Sequence, residues 1–312
     1  MDRLEAMRVF VTVLDEGSLS AAGRALRRSP AAITRAVAAL ERYLGAPLLA
    51  RTTRAMRLTK AGELYATNCR RILAELADAE ALVAGGRETP HGVLTLSAPP
   101  VSGQDILRPI LDSFLKAHPG VSARLLLLDR PVNLVDEGVD VAMRVGDLPD
   151  STLVAVKVGA DVRRVVVGAP RYLATAPPIA TPGDLAGHQI VAMDNFGVDR
   201  WVFPAGAGSP GARTVTFAPR ILVNSVPAAI ASSIAGLGLT RVYSYHAAEA
   251  VRRGELAIVL ADDEPAPLPV HLIVQPARLP SPRVRAFLDF AAPRLRRAFA
   301  ALSTGGPAGE TA

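Results

Sequence analysis

Apolar positions recur every three or four residues through the first third of the chain. Leu4, Met7, Val11 and Leu14 share one helical face with Phe10 beside it, and Asp2 with Glu5 has the spacing of a capping box. Leu19, Ala22 and Leu26 mark a shorter helix that Ser18 can cap. Ser29 followed by Pro30 opens a third, since the N–H that proline lacks is not needed at a first helical position. Ile33, Val37, Leu40 and Leu44 form its inner stripe, and Gly45 stops it. The outer face carries Ala31, Thr34, Arg35, Ala38 and Arg42. Leu48–Arg51 and Arg57–Thr59 predict a two-stranded ribbon, a wing, across Thr52–Met56. Thr59 then caps a long helix to about Val83, on which Tyr65, Cys69, Ile72, Leu76, Ala79 and Val83 make an a/d seam.

Gly85-Gly86 and Pro90-His91-Gly92 punctuate the pattern, which then changes to short β-branched or leucine runs alternating with helices. Strands are expected at Val93–Ala98, Arg124–Leu128, Val139–Met143, Leu153–Val158 and Arg164–Gly168, with helices at about Gln104–Ala117 and Val132–Glu137. A second set follows: a capped turn at Thr181–Asp184, strands at Gln189–Met193, Thr214–Phe217 and Ile221–Val223, and a helix at Ser225–Ala235 closed by Gly236. Strands at Leu239–Val242, Leu256–Leu260 and Val270–Val274 precede a last helix from Ser281-Pro282 to about Phe299, and the small-residue tail 303–312 is expected to be disordered. Such alternation argues two α/β lobes with a cleft between them.

Charge separates the two halves. Residues 1–60 hold 11 Lys and Arg against 5 Asp and Glu, so the whole net charge of +6 lies there. A footprint this local fits phosphate contact better than general solubility. Small side chains and one arginine on the exposed helix suit a major-groove reader of double-stranded DNA, because bulk would hold the backbone away from base edges. An ordinary helical hairpin is the plainer alternative. The a/d seam predicts a homodimer, which would present two such helices; the same stripe can instead pack on its own domain. Cys69 is read as a small packing residue rather than a redox sensor.

Several classes are set aside. The MDRLEAM start is charged and lacks a signal-type apolar core, and no apolar run spans a bilayer, so a cytoplasmic location without membrane contact is expected. One cysteine excludes a disulfide framework, and the five histidines lack metal-ligand spacing. Gly206-x-Gly208-x-x-Gly211 holds Pro210 and precedes a strand-like run, unlike a dinucleotide fingerprint. No Gly-x-Ser-x-Gly elbow is found, Asp262–Glu264 reads as a solvated turn, and neither an enzyme nor a cofactor is expected. A small-molecule-binding protein whose N-terminal module grips a protein partner is the rival reading.

Effector candidates are helix starts that would face the cleft. Pro100, Val101 and Ser102, in the loop Pro99–Gly103, and Asn224 with Ser225 offer free N–H groups, a positive dipole end and a hydroxyl, which suit an anion; the serines can equally be plain caps. Arg144 either faces the cleft or pairs with a carboxylate such as Asp147. Phe196 and Trp201 either wall the pocket or belong to the second lobe's core.

SLSAAGRAL and SPAAITRAVAALERYLGAPLLARTTRAMRLTKAG resemble closely the winged helix-turn-helix of LysR-type transcriptional regulators, and LVDEGVDVAMRVG, ASSIAGLGL and SPRVRAFLDF resemble that family's effector-binding domain. The resemblance covers nearly the whole chain. It implies a multidomain architecture: an all-α winged helix-turn-helix over 1–59, with the helix-turn-helix at about 19–38, and a linker and dimerisation helix over 60–89. An α/β two-lobed domain like a periplasmic binding protein would follow over 90–302. The first lobe would take about 92–165 plus 266–302, and the second about 166–265. A homodimer or dimer of dimers on promoter DNA is implied, with a small effector between the lobes altering DNA bending and RNA polymerase recruitment. DNA contacts carried over are Ser29, Pro30, Ala31, Thr34 and Arg35, with Arg51 and Arg54 on the wing. Arg27 stands where the family often has glycine, Ala31 where serine is frequent, and Thr34 where serine is usual.

Overall fold

The computed structural model describes residues 2–51, 56–83, 89–148, 152–205 and 211–303. Three helices, α1 (Arg3–Asp15), α2 (Leu19–Ala25) and α3 (Pro30–Leu44), enclose Phe10, Val13, Ile33 and Val37, which solvent does not reach. Burial of each such side chain is worth about 1.5–3 kcal/mol. The Ser18 and Ser29 hydroxyls accept the Ala21 and Ala32 N–H groups at 3.1 and 3.2 Å, satisfying donors that α2 and α3 would otherwise leave open. Asp2 occupies the N-cap of α1 but its side chain makes no capping bond. The expected box is absent because Glu5 is drawn into an ion pair with Arg28, in the turn between α2 and α3.

Gly45 closes α3 in the left-handed region, φ 67°. Strands β1 (Leu49–Arg51) and β2 (Met56–Leu58) pair antiparallel as the wing. The Glu41 carboxylate fixes where the wing begins, accepting the Leu48 and Leu49 N–H groups at 2.8 and 3.0 Å. The long helix α4 (Lys60–Val83) starts where Thr59 Oγ1 accepts the Gly62 N–H at 2.9 Å.

Beyond residue 89 the chain builds one lobe, crosses to a second and returns. The outward path is β3 (Gly92–Ala98), α5 (Pro100–Ser102), a wide helical turn over Gly103–Leu107, α6 (Arg108–Ala117), β4 (Val121–Leu127), β5 (Val141–Val145) and β6 (Val154–Val162). The second lobe holds β7 (Arg164–Gly168), α7 (Pro170–Leu173), β8 (Val191–Met193), β9 (Arg200–Phe203), β10 (Arg213–Thr216) and β11 (Ile221–Val223), followed by α8 (Val226–Ile234), β12 (Thr240–Tyr243), α9 (Ser244–Arg252) and β13 (Ala257–Val259). Strand β14 (Leu268–Val274) and helix α10 (Pro282–Ser303) complete the first lobe.

The first-lobe sheet runs β4-β3-β5-β14-β6, with β3 parallel to both neighbours and β14 antiparallel to both of its own. It is covered by α6 and α10, whose Phe114 and Phe287 rings meet edge-on at 5.3 Å. In the second lobe β12-β7-β13 is extended by a parallel bridge between Ile190 and Leu239 to β8 and β11. Trp201 is buried there beside Phe217, in the core rather than the pocket wall.

Two expectations are corrected. Val132–Glu137 is a set of turns, since the Asn133 side-chain oxygen captures the Val135 and Asp136 N–H groups and outcompetes a helix. Pro99–Gly103 is not a loop: the helix begins at Pro100. Strand β9 and helices α7 and α9 were not evident from the periodicity, being short and small-residue or aromatic in composition. No described helix is long and apolar enough to cross a membrane.

Candidate functional site

Helix α3 turns its apolar stripe inward, and this leaves Ser29, Pro30, Ala31 and Arg35 exposed at its N-terminal half. Ser29 is committed to its cap. Thr34 is half-buried and its hydroxyl donates back to the Pro30 carbonyl at 2.9 Å. Arg35 makes no ion pair among the described residues, so its guanidinium projects from an otherwise small-residue surface. The backbone of Arg51 lies on β1; its side chain, and all of Arg54, fall outside the described residues.

The seam of α4 is divided. Cys69 is fully buried in the protomer's own core, and Tyr65 and Ile72 pack half-buried against the same cluster as Phe10 and Val13. Phe10 and Tyr65 lie 5.9 Å apart. Cys69 therefore serves the protomer's own core, a correction to its place on the dimer seam, while Tyr65 and Ile72 share that core and keep part of their surface exposed: heptad spacing marks an apolar stripe but not what covers it. Leu76 is half-buried, and the side chains of Ala79 and Val83 are outside the described set. Burial pushes the Cys69 thiol up to about 11, with Tyr65 and Arg70 acting in opposition.

Between the lobes lies a cavity of about 580 Å³. The first lobe lines it with Val101, Asp129, Arg130 and Arg144, the second with Asn195, Phe196, Val226, Tyr243, Tyr245 and His246. Arg144 faces the cavity, resolving its two readings: its guanidinium donates to the Leu128 carbonyl and to Ser97 Oγ, both at 3.5 Å, and Asp147 is no ion-pair partner. Burial lowers this guanidinium, opposed by the Glu137 and Asp129 charges, and burial raises the Asp129 carboxyl, opposed by Arg144. Arg130 is held by Glu137 through two bonds of 2.7 and 2.8 Å.

The second-lobe wall is aromatic. Phe196 stands edge-on to Tyr243 at 4.8 Å, and Tyr245 edge-on to His246 at 4.3 Å. Burial holds the His246 pKa down at about 3, and its Nδ1 accepts the Tyr243 N–H at 3.3 Å, which leaves the proton on Nε2. The Tyr245 phenol is pushed up by burial, with Ser102 pulling the other way.

Of the helix-start candidates, Val101 lines the cavity, Pro100 does not, and Ser102 sits fully buried behind it. Asn224 is exposed, Ser225 is an N-cap whose side chain makes no capping bond, and neither reaches the cavity; the neighbouring Val226 does. Sequence reasoning missed Asp129, Asn195 and the Tyr243–His246 run. The last of these had a signal, an aromatic cluster directly after the carboxyl end of a strand, where open α/β sheets bind ligands.

A DNA-facing helix-turn-helix joined by a long helix to a two-lobed domain with a central cavity defines a ligand-responsive transcription regulator. Residues 4–63 match the "Bacterial regulatory helix-turn-helix protein, lysR family" and residues 87–296 the "LysR substrate binding domain". The chain belongs to the LysR family of transcriptional regulators, which bind DNA and small-molecule effectors and oligomerise. It is 32% identical over 294 residues to an HTH-type transcriptional repressor of Pseudomonas aeruginosa, covering 93% of this chain and 91% of that protein. With the HTH-type transcriptional activator AaeR of Escherichia coli it shares 34% identity over 280 residues, 88% of this chain and 87% of the relative. The structure of CrgA, a LysR-type regulator from Neisseria meningitidis, is similar with a TM-score of 0.58 at 29% identity, covering 93% of this chain and 98% of that one.

Proposed function

We propose that this regulator reads promoter DNA with α3 and responds to a small effector held between its lobes. In this reading Arg35 donates to a guanine edge, Ser29, Pro30, Ala31 and Thr34 fit the helix against the groove, and Arg51 and Arg54 hold phosphate. Arg144 and Val101, with Ser102 behind them, hold the effector; Asn224 and Ser225 are left to the lobe surface. The observation that carries it is the pairing of an exposed Arg35, without an ion pair among the described residues, on small-residue surroundings with a cavity lined by both lobes. The protein acts in the cytoplasm as a dimer or dimer of dimers, and effector binding changes DNA bending and RNA polymerase recruitment.

Fluorescence anisotropy tests it, on the duplex upstream of the protein's own gene and on a shuffled duplex across a salt series. Preference for the native duplex that survives rising salt is the expected result. Equal, steeply salt-dependent binding to both duplexes argues against a sequence-specific reader at that site.

A further inference from the structure

The cavity between the lobes offers more specific chemistry than a basic pocket. Arg144 is half-buried and weakly engaged, its two hydrogen bonds stretched to 3.5 Å and no carboxylate within ion-pair distance among the described residues. A group of this kind is costly to bury unless something completes it. The opposite wall supplies rings rather than charge: Phe196, Tyr243 and a neutral His246, whose Nε2–H remains free to donate.

We propose that the effector is an aromatic carboxylate, its carboxylate on the Arg144 fork and its ring against Phe196, Tyr243 and His246. This rests on the reading of the cleft as the effector site. A guanidinium fork matches a planar carboxylate in shape as well as charge, and ring edges and faces favour another π system over a saturated body of equal size. A volume of about 580 Å³ accommodates a one- or two-ring acid. Asp129, at the same end of the cavity, selects against ligands bearing a second anionic group there.

The test is calorimetric titration of the full-length protein with benzoate, benzamide and cyclohexanecarboxylate. Wild type, Arg144→Gln, Arg144→Lys and Asn195→Trp are compared, each checked by its melting profile. Benzoate should bind at least about tenfold more tightly than the neutral amide or the saturated acid. Arg144→Gln should lose about tenfold or more, Arg144→Lys should restore part of it, and Asn195→Trp should block the cavity. Equal affinity for all three probes, abolished by Asn195→Trp, overturns the aromatic-acid class while the cleft stands. Benzoate binding untouched by both Arg144→Gln and Asn195→Trp overturns the cleft reading itself. No benzoate binding up to ~10 mM, with DNA binding intact, overturns the class.

Discussion

A methyl group on Gly62 would lie 2.0 Å from the carbonyl oxygen of Leu48. The first turn of α4 thus rests directly on the backbone that opens the wing, and Thr59 ties the same carbonyl down through its N–H at 3.0 Å. Alanine is ordinarily the better helix former by about 1 kcal/mol. Here Gly62→Ala should instead lower stability by about 1–3 kcal/mol, because the obstacle is backbone and not the end of a flexible side chain. Thermal melting checks it: an unchanged or raised midpoint would mean that wing and helix separate easily.

Arg27 holds φ 53° in the turn between α2 and α3. A non-glycine residue there costs roughly 1 kcal/mol through its Cβ. Arg27→Gly should raise stability by about 0.5–1 kcal/mol, while removing one exposed cation near the reading helix. Chemical denaturation measures the gain; a loss of stability would mean that the arginine side chain contributes more than the strain costs.

Arg35→Ala should reduce discrimination between operator and shuffled DNA by about 1–3 kcal/mol and leave salt-sensitive background binding in place. Competition anisotropy with unlabelled duplexes reads the ratio directly. Unchanged discrimination would assign base reading elsewhere on α3.

His246 makes stability depend on acidity. Its folded pKa of about 3 lies below the ordinary value of 6.5, so on acidification the unfolded chain takes up a proton that the native fold refuses. Stability is full above about pH 6.5 and falls by about 1.4 kcal/mol per unit as pH drops toward 3, close to 2 kcal/mol by pH 5. His188 is lowered by burial as well and acts in the same direction, so the comparison must be with a variant. His246→Gln, which keeps an acceptor for the Tyr243 N–H, should flatten the slope between pH 7 and 5; parallel slopes would refute the assignment.

Cys69 should ignore thiol reagents in the native protein. With its thiol pushed up to about 11 and no exposed surface, thiolate is scarce at pH 8 and unreachable. Ellman's reagent should label one thiol in guanidinium and almost none without it, and DNA binding should tolerate mild peroxide. Rapid native labelling would show that α4 parts readily from α1.

How much of this was legible depended on sequence distance. Ser18, Ser29-Pro30, the Ile33 to Leu44 stripe and the Thr59 cap act within one turn or two, and local chemistry decides them. Arg144 was legible as a strand-end cation, although its competing pairing with Asp147 could be settled only in three dimensions. Asn224 and Ser225 stand out in sequence over Asn195 because a helix start is visible there, and Phe196 stands out only as an aromatic that could equally be core. Which strand ends converge on the cleft depends on a crossover between lobes, and that is not visible in sequence. Cys69 illustrates the same limit, since its spacing describes a stripe and says nothing about whether α1 or a second subunit covers it.

The burial of Tyr65, Cys69 and Ile72 against the reading domain has a mechanical consequence. The start of α4 is welded to the domain it carries, so the 24-residue helix works as a lever about 36 Å long. A tilt of about 10° at its far end would sweep the near end by about 6 Å, more than the ~3.4 Å rise of one base step. A displacement applied at the far end of this helix would thus reach the reading domain enlarged.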